Sequence, residues 1–158
     1  MKVNKQKIKN ISSEVFWGSL ALLAGTVIIY FGDRFLNVSL EVVQQNVIST
    51  FHPLWVLDLI LVPLIAGFAV SLIYGLGGKI LAHFAPIFIR LHAFIMIDAS
   101  ALPEGVSVLP TGFWILILIV CVEAAAAGGL VGEIVIKRTY GRRPKHMIHK
   151  RYQTKNAE

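Results

Sequence analysis

Seven ionisable side chains sit inside otherwise apolar stretches of this chain: Asp58, Lys79, His83, Arg90, His92, Glu123 and Glu133. A charge in hydrocarbon is costly, so such residues either neutralise one another or mark a proton relay, an ion path or a ligand site. At 100° per residue on an α-helix, Lys79, His83 and Arg90 fall within about 40° of one another, while His92 points to the opposite side. That cationic stripe must face protein or water.

A rise of about 1.5 Å per residue gives each group a depth. Counting from Lys79, His83 lies about 6 Å in and Arg90 about 16 Å in; counting from Ile136, Glu133 lies about 4 Å in and Glu123 about 20 Å in. Matching levels pair Arg90 with Glu123 near the midplane, and Lys79 or His83 with Glu133 near one surface. Asp58 and His92, about 4 and 8 Å from the other surface, form a third expected pair. A balanced network of this kind serves as assembly glue for a poor inserter as readily as it serves transport.

Other chemistry finds little support. His83 and His92 lie on opposite faces of one helix, and the first and fourth apolar blocks hold no histidine, which leaves His52 as the one mate for His92 in any haem site. No carboxylate–histidine metal motif and no nucleophile–base pair at motif spacing occurs. The single cysteine, Cys121, rules out a disulfide within the chain. No cofactor and no enzymatic activity are expected.

The elements that carry these residues are set by composition. Apolar residues make up 56% of the 158 and charged residues 15%, and the apolar ones fall in long blocks. Four blocks, at residues 15–31, 55–74, 80–97 and 113–136, have the length to cross a hydrocarbon core of about 30 Å. The third is marginal, because Arg90 near a helix centre costs about 2.5–3.5 kcal/mol and each Leu, Ile or Phe returns only about 0.3–0.6 kcal/mol. Charge asymmetry decides for crossing. Thirteen of the fifteen Lys and Arg lie before Glu14, at Lys79, or between residues 137 and 155, whereas segments 32–54 and 98–112 hold Arg34 alone. Basic loops stay cytoplasmic, so both chain ends and the turn Gly75-Leu76-Gly77-Gly78 share one side, which requires an even number of crossings.

The expected fold is therefore all-α: an integral membrane four-helix bundle with both termini inside and a short interfacial helix between spans 1 and 2. That interfacial helix rests on the stripe Leu40, Val43, Val47 and Phe51. Residues 1–136 form the transmembrane unit and residues 137–158 a basic cytoplasmic tail. Trp17, Trp55, Tyr74 and Trp114 stand near block ends, where aromatic belts form. Pro63 is a candidate helix break.

Small residues are spaced for close helix packing: Gly18, Gly25 and Gly32; Gly67, Ser71 and Gly75; Ala124, Gly128 and Gly132. They serve an intramolecular bundle or, on the fourth span, a partner subunit. The tail, with Lys137, Arg138, Arg142, Arg143 and Lys145, suits orientation and anionic lipid first, a cytoplasmic protein second and nucleic acid last.

Three functional readings follow, in order. The first is a non-enzymatic accessory or assembly subunit of a larger membrane complex, with other membrane subunits or further copies as partners, in a bacterial plasma membrane. The second is an oligomeric transporter component moving protons, ions or a small solute through its buried His, Arg and Glu. The third is a haem-carrying redox subunit. Asn37-Val38-Ser39 matches a glycosylation acceptor, which matters only in a glycosylating secretory pathway.

Overall fold

A computed structural model describes residues 2–44 and 51–140. Helix α1 (Lys2–Leu36) is followed by strand β1 (Val42–Gln44), helix α2 (Pro53–Tyr74), helices α3 (Gly78–Ala82) and α4 (Phe84–Ile95), strand β2 (Val106–Val108) and helix α5 (Thr111–Tyr140). Four helical stretches, 13–36, 53–74, 78–95 and 111–139, are long and apolar enough to cross a membrane, and the third joins α3 to α4. The chain has the build of a multi-pass membrane protein. Leu23, Phe31, Phe88, Ile115 and many other large apolar side chains are exposed on its outside, as a lipid-facing surface requires.

Glycine fixes how the helices meet. Gly18, Gly25 and Gly32 of α1 lie against Tyr74, Val70 and Val62 of α2 in turn, so α1 and α2 run antiparallel. Gly18 and Gly25 also meet Leu81 and Ala85, which sets α3 and α4 parallel to α1. The tightest approach joins α2 to α5. A Cβ on Gly67 would overlap the carbonyl oxygen of Ala125, and one on Gly128 would overlap that of Leu64. These backbones touch because no side chain stands between them, and they gain dispersion contacts that lipid does not supply.

Ser71 lies where α2, α3 and α5 converge, with Gly78, Gly129 and Gly132 packed on it. Ala124 is only half-buried; its neighbour Ala125 holds the contact instead. Gly75, also buried, turns the chain. It ends α2 at φ 91°, a conformation open mainly to glycine, and begins the reversal into α3.

Proline acts differently in the two spans that contain it. Pro86 has no amide to offer Ala82, and the third span is interrupted at His83 between α3 and α4. The helix α2 instead continues through Pro63, contrary to the expected break. Pro63 cannot bond the Leu59 carbonyl, and the Cys121 thiol of α5 donates to that carbonyl at 3.6 Å. A neighbouring helix satisfies the group that proline frees.

Two ends can be distinguished. At the turn end, Glu133 of α5 accepts the amides of Gly77 and Lys79 at 2.8 and 3.0 Å, so its carboxylate caps the start of α3. At the cap end, β1 and β2 pair antiparallel, Val42 with Val108 and Gln44 with Val106, and Leu109 donates its amide to Glu41. This ribbon replaces the first part of the expected interfacial helix: Leu40 is fully buried, Val43 lies in a strand and Phe51 is exposed, while residues 45–50, with Val47, lie outside the described residues. Under the ribbon sit Leu40, Leu109, Trp55, Trp114, Ile117 and Cys121. Trp55 and Trp114 are thus core residues rather than belt residues, and Trp114 stacks on Phe94 at 4.3 Å. Beside the ribbon, hydrogen bonds from the Ser100 amide and hydroxyl hold the Asp98 carboxyl below the usual carboxylate range.

Candidate functional site

Near the cap end, three elements deliver carboxylates to one guanidinium. Asp33 stands in the last turn of α1, Asp58 in the second turn of α2, and Glu41 in the turn leading to β1. Arg90 of α4 meets Asp33 as a two-pronged pair, at 2.8 Å to Oδ1 and 2.9 Å to Oδ2. It also donates to Glu41 at 3.2 Å and to Asp58 at 3.5 Å. The second Glu41 oxygen accepts the Ser39 hydroxyl at 3.0 Å. Arg90 is 1% exposed and Asp58 fully buried, so neither exchanges these partners for water. Asp58 Oδ1 and Arg90 Nε are buried without a hydrogen-bond partner.

This cluster ties the cap ends of three helices and the ribbon together, and it carries more acid than base. Above it opens a cavity of about 820 Å³, whose wall includes Asp33, Arg34, Glu41, His92 and Glu104. The Asp33 side chain, 21% exposed, is the part of the cluster most open to it.

Comparison with known protein families, with curated proteins and with solved structures finds no match to this chain. The site is therefore read from its own geometry.

Arg90 is buried and ion-paired, but not with Glu123. Ala125 and Cys121 are the α5 residues turned toward α2, and Glu123, two positions from each, is rotated about 200° away from them. It is exposed on the outside of the bundle. The depth match failed because α5 packs chiefly along α2, so equal depth did not bring Glu123 to α4.

The Asp58–His92 pair is likewise absent. Asp58 turns to Arg90, while His92, two residues further along α4, is exposed on the cavity wall. Glu133 does reach the start of the third span, through backbone amides rather than through charge; the Lys79 side chain is exposed, and His83 Nδ1 lies 2.7 Å from the Lys79 carbonyl of the same span. His52 accepts the Leu54 amide at the start of α2. Among the described residues no group of His, Cys, Asp and Glu could hold a metal ion.

Asp33 and Glu41 are the functional residues that sequence reasoning missed. A signal for Asp33 existed: with α1 running to Leu36, Asp33 lies about 5 Å from its end, against about 8 Å for Arg90 from the end of α4. Ending the first span at Phe31 placed Asp33 in a loop and hid it. Glu41 had no such signal, since only the ribbon carries it inward. Of the tail residues, Lys137 and Arg138 are exposed at the turn end of α5, while Arg142, Arg143 and Lys145 lie outside the described residues.

Proposed function

We propose that this chain is a non-enzymatic accessory or assembly subunit of a larger membrane complex, with both termini on the cytoplasmic side of a bacterial plasma membrane. One observation carries the reading. Glu123 lies midway along α5, about 18 Å from Thr111 and about 20 Å from Ile136, exposed and without a hydrogen bond or ion pair among the described residues. An ionisable group at that depth faces lipid unless another protein covers it, and facing lipid is the costly alternative.

The glycine seams do not supply the docking surface, because the bundle itself occupies them. Docking is assigned instead to the outward side of α5, with the basic tail on anionic headgroups. Orientation follows from the basic residues before Glu14, at Lys79 and after Ile136, all belonging to the turn end of the bundle or leading from it.

The test is purification of tagged protein from its own membranes in mild detergent. A partner membrane protein at fixed stoichiometry is expected, whereas a lone chain that behaves identically in and out of its host membrane would refute the reading. Fusion reporters after residue 155 and within 98–112 should report opposite sides.

A second reading, a small transporter component, draws on the cap-end cavity above the Arg90 cluster. The residues first expected to line a route point apart: Arg90 at the cap end, Glu133 and His83 toward the turn end, Glu123 outward. Solute uptake by proteoliposomes, abolished in Glu41→Gln, is the result that would favour it.

A further inference from the structure

The outward side of α5 has a periodicity that the packing of this chain does not use. Leu116, Val120, Glu123, Ala127, Leu130 and Ile134 follow one another at alternating spacings of four and three, and all six are exposed. That is the spacing of a left-handed helix–helix seam, in which each side chain enters a hole between four residues of the facing helix. At its centre the pattern places a carboxylate and, one turn on, the small residue Ala127, where a second backbone can approach closely.

A second copy of this chain fits the seam poorly. Two-fold pairing of parallel α5 helices would set Glu123 against Glu123 in the middle of the hydrocarbon. Nor does the chain present a cation at that depth: among the described side chains, the exposed basic ones, Arg34, Lys79, His92, Lys137 and Arg138, stand near helix ends. A carboxylate in a dry seam is neutralised either by taking up a proton or by a charged donor, and only the second draws on a side chain of the facing helix.

We infer that the α5 seam receives a transmembrane helix of a different protein carrying a lysine or arginine near its midpoint, which pairs with Glu123 beside Ala127. This deepens the subunit reading and rests on it. Arg90 is unavailable for the role, being held by Asp33, Glu41 and Asp58 within the bundle.

The experiment uses the full chain in its own host's membranes, with a photo-crosslinking residue at Ala127 on the seam or at Val135, about 80° from Ala127 around the helix, as a control. The Ala127 probe should attach to one other membrane protein, within a span whose middle carries Lys or Arg, and the Val135 probe should not. Glu123→Gln should lower the yield about tenfold, and Glu123→Lys combined with a partner Lys→Glu or Arg→Glu exchange should restore it. Detergent melting of Glu123→Gln, expected to match the parent chain, verifies that the variant is folded.

Attachment to a second copy, to a span without a basic residue, or to lipid alone overturns the inference. If a partner co-purifies but is captured from Val135 and not Ala127, the inference fails while the subunit reading stands. If nothing co-purifies and Ala127 captures only lipid, both fall.

Discussion

Arg90 and Glu123 are both ionisable side chains carried into hydrocarbon by apolar helices, yet the fold treats them in opposite ways. Arg90 is sheathed by three carboxylates from three separate elements, whereas Glu123 meets no partner within the described bundle. The same cost of desolvation applies to each. Where the chain meets that cost itself, the charge belongs to the fold; where it does not, the charge is left on the outside of the bundle.

The largest effect is expected from removing the satisfied charge. Arg90→Met would leave Asp33, Glu41 and Asp58 without their cation, and breaking a buried pair in this way costs about 3–5 kcal/mol; unfolding in detergent should show a steep loss of folded protein. Arg90→Lys should recover only part of it, because an ammonium cannot make the two-pronged bond to Asp33.

Next comes the packing that turns Glu123 outward. Gly67→Val would force α2 away from the Ala125 backbone, and overfilling of this sort costs about 1–3 kcal/mol. Its signature would be a changed accessibility of a cysteine placed at position 123 in a Cys121→Ala background, together with a lower melting temperature.

Glu133→Ala removes the acceptor of two amides at the head of α3, for about 1 kcal/mol. Hydrogen exchange at the Gly77 and Lys79 amides should quicken without a change at the cap end. Smallest of all, Glu123→Gln should shift the stability of the isolated chain by no more than about 0.5 kcal/mol, since no bond within it is lost. That near-zero value sharpens the contrast with Arg90.

Much of this was legible in the residues. The four spans and the reversal at Gly75-Leu76-Gly77-Gly78 follow from block length and turn chemistry, the close approaches at Gly25, Gly32, Gly67, Gly128 and Gly132 from small-residue spacing, and the meeting of Arg90 with acids from the cost of charge in lipid. The identity of those acids did not. Depth alone cannot say which helices are neighbours, and matching levels pair Arg90 with Glu123; the Gly67–Ala125 and Gly128–Leu64 contacts place α5 on α2.

The ribbon escaped for another reason. Strands of three residues carry too little periodicity to be read, and Leu40 with Val43 imitated a helical stripe while belonging to a turn and a strand. Missing the ribbon also meant missing Glu41, which that segment brings to Arg90. The thiol of Cys121, for which the sequence offered no disulfide partner, bonds the carbonyl that Pro63 cannot.

A double-mutant cycle in detergent micelles tests the central claim most directly, pairing Arg90→Met first with Asp33→Asn and then with Glu123→Gln. The first pair should be strongly non-additive, with a coupling of about 0.5–3 kcal/mol, and the second additive to within about 0.5 kcal/mol. Coupling between Arg90 and Glu123, with none between Arg90 and Asp33, would contradict the division between a charge kept by the fold and a charge left outside it.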